Sequence, residues 1–142
     1  HSLSKGNNKI RDFPNEIKEI SPSFVKIYSE SEFAEQENLI EICGAGYRKA
    51  LEFLIKDYLI KDLPLQKEEI KIKFLGDCIK ELISDSNIKE IAKRAVWLGN
   101  DEAHYSRTWE DKDLKDLKTL IELTMHFISM EIVSNRYKEE MK

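Results

Sequence analysis

Residues that interrupt helices or bind metals are scarce in this chain of 142 residues. It contains 5 glycines, 3 prolines and 2 cysteines. With so few glycines and prolines, and with many Lys, Glu and Leu residues, the composition favours helices over a sheet. Two cysteines cannot form a zinc site by themselves, and no histidine stands at ligand spacing from either. We expect Cys43 and Cys78 to be small buried hydrophobes in a reduced, cytoplasmic protein.

Long apolar runs and an excess of positive charge are also missing. No stretch approaches the roughly 20 apolar residues that a membrane span needs, so we expect no membrane partner. The formal net charge is −4, whereas a general nucleic-acid coat usually has a basic face and a basic pI. A net negative charge of the whole chain is still compatible with one local basic groove.

Apolar positions recur at the helical period through most of the chain. They predict five helices, roughly over 22–37, 39–61, 66–83, 86–99 and from a capping box at Thr108 to about 139. Ser21 followed by Pro22 is typical of a helix start. We therefore predict an all-α bundle of about five helices, with residues 1–20 as an irregular lead-in and residues 21–142 as one helical domain.

Three local patterns qualify this prediction. Residues 70–74 alternate apolar and polar side chains as a strand does, but no partner strand is available. The fourth helix should end or kink near Gly99 and Asn100, or resume after them through His104. Gly44 and Gly46 form a small-residue patch on the second helix. Because no preceding strand and no Gly-Lys-Ser/Thr sequence accompany this patch, it indicates close approach of two helices rather than a phosphate-binding loop.

Polar residues crowd together directly after the apolar fourth helix. If the chain stays helical there, Asn100 and His104 share one face and can hold a phosphate, a water molecule or each other. The alternative is a structural hydrogen-bonding pair that pins the helix end. Asp101 and Glu102 add oxygen ligands, but no second cluster completes a metal shell, so we expect no metal and no cofactor. Trp97 either packs or stacks on a base.

A second polar pair lies on the second helix. Arg48 and Glu52 stand four residues apart, so they can form an intrahelical salt bridge at the bundle surface. Alternatively, Arg48 points into the same pocket as His104.

The two stretches together carry a family resemblance. The sequence Tyr-Arg-Lys-Ala-Leu-Glu at 47–52, followed by Gly-Asn-Asp-Glu-Ala-His at 99–104, resembles domain-of-unknown-function family 4145 over about residues 21–132. The resemblance implies a helical architecture similar to the HEPN domains, a homodimer, and a bacterial or phage defence context, since members of the family are associated with restriction and defence genes.

Active HEPN ribonucleases use an Arg, usually followed by a polar residue, and a His several positions on. Asn100 and His104 match the last two, but Gly99 occupies the Arg position. The resemblance therefore favours a non-catalytic module that binds RNA or a protein partner. The alternatives are a metal-independent ribonuclease that uses His104 with Arg48, and a purely structural dimerisation domain.

Overall fold

A computed structural model describes residues 12–102 and 114–142. All regular structure in these two ranges is helical, which confirms the all-α prediction, but the ranges contain seven α-helices rather than about five. The helices are α1 (Asn15–Ile20), α2 (Pro22–Gln36), α3 (Ile40–Asp62), α4 (Lys67–Ile72), α5 (Leu75–Leu82), α6 (Ser86–Glu102) and α7 (Leu114–Glu140), with a short 3₁₀ turn at Pro64–Gln66. None of these helices is long and apolar enough to cross a membrane.

The first extra helix lies in the stretch for which the sequence predicted an irregular lead-in. The apolar residues Phe13 and Ile17 are both buried there. The Phe13 ring meets the rings of Phe24 and Tyr28 edge-on, with centroids 5.7 and 6.0 Å apart. Phe13 precedes the short helix α1 and Ile17 lies within it, so the burial of both anchors the helix and the residues before it onto the bundle.

The second extra helix arises because the predicted helix over 66–83 is broken. The backbone at Lys73 and Phe74 is extended, with ψ of 146° and 139°. Phe74 is 81% exposed, whereas Leu75 is buried. The alternating pattern at 70–74 therefore marks the break between α4 and α5. No strand forms among the described residues.

Helix α3 is the centre of the bundle and packs against the neighbouring helices α2, α5, α6 and α7. Its interior face is formed by Cys43, Tyr47, Ala50, Leu51, Leu54, Ile55 and Tyr58. A Cβ atom added at Gly46 would lie 2.2 Å from Oγ of Ser31 on α2. The predicted close approach of two helices is therefore confirmed at Gly46. An added Cβ at Gly44 meets nothing within 4 Å.

The start of α2 agrees with the prediction from its sequence. The Oγ of Ser21 accepts a hydrogen bond from the backbone N–H of Phe24 at 3.4 Å, and Pro22 occupies the first helical turn. The same hydroxyl donates to Oδ2 of Asp57 on α3 at 2.5 Å. The cap of α2 is thereby tied to the central helix.

A second polar cluster joins α2, α3 and α7. The hydroxyl of Tyr47 donates to Oε1 of Glu35 at 2.6 Å, and Nζ of Lys118 donates to the same oxygen at 3.0 Å. The Lys118 ammonium also lies 5.5 Å from the centroid of the Tyr47 ring. Burial, together with the bond to Glu35, raises the pKa of Tyr47 far above its usual range. The hydroxyl therefore stays a donor, and the cluster holds three helices together.

Helix α6 begins where the sequence predicted. The Oδ1 of Asp85 accepts from the backbone N–H of Ile88 at 2.9 Å, which caps the helix. Helix α6 does not stop at Gly99 but continues to Glu102. Helix α7 buries one face through Leu117, Ile121, Thr124 and Ile128. The predicted capping box at Thr108 lies outside the described residues.

Candidate functional site

The two sequence stretches that carry the family resemblance meet in the structure. Nε of Arg48 on α3 donates to Oδ1 of Asn100 on α6 at 2.8 Å. Both side chains are partly exposed. A hydrogen bond from a charged donor at partial burial is one of the stronger kinds in proteins. The bond uses one of the five guanidinium N–H groups, so the Arg48 side chain retains further donors.

Gly99 makes room for this contact. A Cβ atom added at Gly99 would lie 3.3 Å from Cγ and 3.6 Å from Cβ of Arg48. The aliphatic stem of Arg48 therefore passes directly over Gly99. Gly99 is thus covered by an arginine from the neighbouring helix α3.

Glu52 does not belong to this contact. The sequence left open a salt bridge between Arg48 and Glu52, but Oε2 of Glu52 pairs with Nζ of Lys56 at 2.9 Å. Lys56 is one turn further along α3 and its side chain is mostly buried. Because a buried ammonium needs a partner more than a half-exposed guanidinium does, Glu52 pairs with Lys56.

An open groove between α5 and α6 lies beside the Arg48–Asn100 contact. Its volume is about 400 Å³. We call it the Trp97 groove, because Trp97 is 46% exposed at its edge. The side chains that line it include Ile79, Lys80, Lys93, Val96, Trp97 and Asn100.

One cation, Arg94, lies over the indole of Trp97, and a second, Lys93, stands one turn away on the same helix. The guanidinium carbon of Arg94 lies 5.8 Å from the ring centroid. Nη1 of Arg94 also pairs with Oε1 of Glu90 at 3.0 Å, and Nζ of Lys93 lies 3.4 Å from the other oxygen of that carboxylate. The hydrogen bonds from these two cations lower the pKa of Glu90. This part of α6 therefore combines one acid, Glu90, with two cations, Lys93 and Arg94, in a chain whose net charge is −4.

Two lysines of this groove were missed by the sequence analysis. Lys93, Trp97 and Asn100 stand at i, i+4 and i+7 on α6, so they share one helix face. That spacing was readable in the sequence. Lys80 comes from α5, and its position depends on the break between α4 and α5. The alternating pattern at 70–74 did not show that the chain changes direction there.

The side chains of the remaining candidate residues lie outside the part of the chain that the structure describes. His104 lies in the range 103–113, and the side chains of Asp101 and Glu102 lie outside the described residues as well. Within residues 12–100 and 114–142, no group of three or more His, Cys, Asp or Glu side chains is arranged to hold a metal ion. The structure thus joins Arg48 to Asn100 and places Trp97 beside them.

Comparison with known proteins identifies the family. No curated protein and no solved structure matches the chain. A family model, described as domain of unknown function DUF4145, matches residues 29–142. This range contains both motif stretches and covers most of the chain, so the chain belongs to the DUF4145 family.

Proposed function

We propose that this domain is a binding module for single-stranded nucleic acid, which it holds in the Trp97 groove. The observation that carries the proposal is the half-exposed indole of Trp97, set at the edge of a groove that also contains Lys80 and Lys93. An exposed aromatic ring flanked by cations is the arrangement by which proteins stack a base and neutralise its phosphates.

The chemistry of the groove suits a flexible single strand better than a duplex. Stacking on Trp97 requires an unpaired base whose face is accessible. Lys80 and Lys93 supply point charges for adjacent phosphates, and Asn100 contributes an amide to the lining. Since the chain as a whole is acidic, attraction of the strand depends on the lysines of this groove, and binding should weaken with salt.

Arg48 connects the groove to the central helix. Its Nε is held by Asn100 at 2.8 Å, which fixes the side chain and leaves the terminal guanidinium nitrogens as further donors. In this proposal Arg48 orients Asn100 and adds positive charge behind the groove.

The test measures binding of a fluorescein-labelled oligouridine by anisotropy at low salt. We expect Lys93→Gln to weaken binding about fivefold to tenfold, since each phosphate contact contributes on the order of 1 kcal/mol. The matched control is Lys26→Gln, because Lys26 is an exposed lysine on α2, outside the groove. Equal affinity of Lys93→Gln and Lys26→Gln would contradict the proposal.

A second candidate is metal-independent ribonuclease activity, and one observation favours it. The stem of Arg48 lies over Gly99, so a guanidinium from α3 stands near the position that the HEPN motif fills with an arginine from its own helix. A phosphate in the transition state needs such a charge. His104 would supply the proton transfer.

Cleavage of labelled RNA in the presence of a chelator separates this candidate from simple binding. The ribonuclease hypothesis expects cleavage by the wild type, its loss in His104→Ala, and partial retention in Arg48→Lys, which keeps the charge. Binding without cleavage would leave the non-catalytic module as the function.

The HEPN-like architecture, the homodimer and the defence context remain part of the proposal and rest on the family resemblance. A purely structural role of the motif is the third candidate, since the Arg48–Asn100 bond also ties α3 to α6. Analytical ultracentrifugation tests the dimer directly: a single species with the mass of one chain at micromolar concentration would contradict it.

A further inference from the structure

We propose that a second cleft, between α1, α3 and α4, binds a small organic phosphate monoester with an apolar or aromatic body. The cleft has a volume of about 780 Å³, which lies within the range of small-molecule sites, roughly 300–1,000 Å³. It shares none of its lining residues with the Trp97 groove. We call it the lysine cleft, because its lining includes Lys56, Lys61, Lys67 and Lys71.

The lysine cleft has an apolar part. Ile20, Phe53 and Ile60 line it and pack on their inner side against the hydrophobic core. All three are only partly buried, so a ligand can cover apolar surface that water otherwise contacts. The ring of Phe53 offers a flat surface for an aromatic or short aliphatic body.

Lys56 provides a fixed donor in the cleft. Its Nζ donates to Oε2 of Glu52 and to the backbone carbonyl oxygen of Lys71, each at 2.9 Å. An ammonium group has three donors, so one donor remains for a ligand. Because the two protein acceptors hold the side chain in place, little side-chain entropy is lost when a ligand binds.

The other three lysines are exposed and can turn towards an anion. Lys67 attracts the carboxylate of Asp57, whose pKa its charge works to lower, so a phosphate would compete with Asp57 for this ammonium group. Lys61 and Lys71 lie 3.4 Å from the exposed carboxylates of Asp62 and Glu68. Exposed pairs at such distances contribute little to stability and exchange easily, so a phosphate can compete for these ammonium groups.

The residues that line the cleft carry one net positive charge, since they include four lysines and three acids. Glu52 is neutralised by Lys56. The carboxylate of Asp57 accepts a hydrogen bond from Ser21, and burial raises its pKa. Glu19 is the third acid of the lining. Because the exposed carboxylates of Asp62 and Glu68 already neighbour two of the lysines, a dianionic head competes for these ammonium groups better than a monoanionic or neutral one does.

The experiment titrates the 142-residue chain with phenyl phosphate by calorimetry and by backbone amide NMR. Inorganic phosphate represents the phosphate head alone, and phenol represents the aromatic body alone. We expect saturable binding of phenyl phosphate, at least tenfold tighter than either fragment, with amide shifts in α3 and α4. Lys67→Gln should weaken it about fivefold, whereas the control Lys115→Gln should not change it, because Lys115 is an exposed lysine on α7 that does not line the cleft.

Three results would overturn the proposal. One is the absence of heat and amide shifts with the folded chain at millimolar phenyl phosphate. Another is equal affinity in Lys67→Gln and Lys115→Gln. The third is binding only to vesicles that contain phosphatidic acid, which would make the phosphate a lipid headgroup rather than a soluble ligand. Lys67 is exposed, so its replacement leaves the fold intact.

Discussion

Nε of Arg48 and Oδ1 of Asn100 lie 2.8 Å apart and join the central helix α3 to α6. The two residues are 52 positions apart in the chain. Gly99, the neighbour of Asn100, leaves the space that the Arg48 stem occupies. Two short stretches of the family sequence thus form one structural unit.

The first prediction concerns the energy of this contact. Arg48→Met and Asn100→Ala should each lower the free energy of unfolding by about 1 kcal/mol, as a lost partly buried hydrogen bond does. The double variant should lose about 1 kcal/mol less than the sum of the two, because both single changes remove the same bond. Urea denaturation of the four proteins measures the coupling. Strict additivity would mean that the contact contributes nothing in solution.

The second prediction compares two glycines of α3. Gly46→Ala places a methyl group 2.2 Å from Oγ of Ser31, which itself donates to the Ile27 carbonyl oxygen at 2.8 Å. Moving this hydroxyl breaks that bond and outweighs the gain in helix propensity of roughly 1 kcal/mol, so the melting temperature should fall.

The matched control is Gly44→Ala, for which the added methyl meets nothing within 4 Å. It should raise the free energy of unfolding by up to about 1 kcal/mol. The double variant Gly46→Ala/Ser31→Ala should be more stable than the two single losses imply. A rise in melting temperature for Gly46→Ala would refute the close packing of α2 on α3.

The third prediction concerns pH and Glu35. Burial works to raise the pKa of Glu35, but hydrogen bonds from Tyr47 and Lys118 outweigh it, so the pKa lies below the ordinary value for a glutamate, 4.5. A depressed carboxyl pKa stabilises the fold fully above the unfolded-state pKa, and this stability is lost as the pH falls through the folded-state pKa.

Urea denaturation of the wild type and of Glu35→Gln at several pH values checks this. The wild type should be more stable near pH 7, and the difference should shrink as the pH falls below about 4.5. Tyr47→Phe removes one of the two donors and should reduce the pH dependence. A difference that stays constant across this range would exclude the ionised Glu35 as the stabilising species.

The fourth prediction concerns the thiols. Cys43 and Cys78 are both buried and free, and burial raises the pKa of each thiol. Since the thiolate is the reactive form, both should react with an aromatic disulfide reagent only as fast as the chain opens. Addition of urea to the midpoint of unfolding should expose two thiols together. Rapid reaction of either cysteine in buffer would show that its helix opens locally.

Much of the fold could be predicted from local patterns, because they depend on neighbouring residues alone. The period of apolar residues in α3 and the Ser21 cap of α2 are examples, and both are confirmed. The break at Lys73 and Phe74 could not be predicted. Leu75 and Cys78 reach the core only if the chain changes direction there, which is a tertiary requirement.

The candidate site was predictable only in part for the same reason. Arg48 and Asn100 were named from two separate stretches, but nothing local indicated that they form a hydrogen bond. Glu52 was expected beside Arg48 and pairs with Lys56 instead, because the burial of Lys56 follows from the packing of α4 on α3. Neither lysine of the Trp97 groove was named from the sequence. The position of Lys93 could be read from its spacing on α6, whereas the position of Lys80 depends on how α5 packs.

The emission of Trp97 tests the proposed binding site most directly. The chain has two tryptophans, so Trp109→Phe leaves Trp97 as the single indole fluorophore. Stacking of a base on this ring should quench its emission saturably as oligouridine is added at low salt, and about 0.5 M salt should restore it. A shift of the quenching curve in Lys93→Gln to about fivefold to tenfold higher oligouridine concentrations would tie the quenching to the groove. Unchanged Trp97 emission while labelled oligouridine binds the same protein would contradict the account, since the nucleic acid would then lie elsewhere.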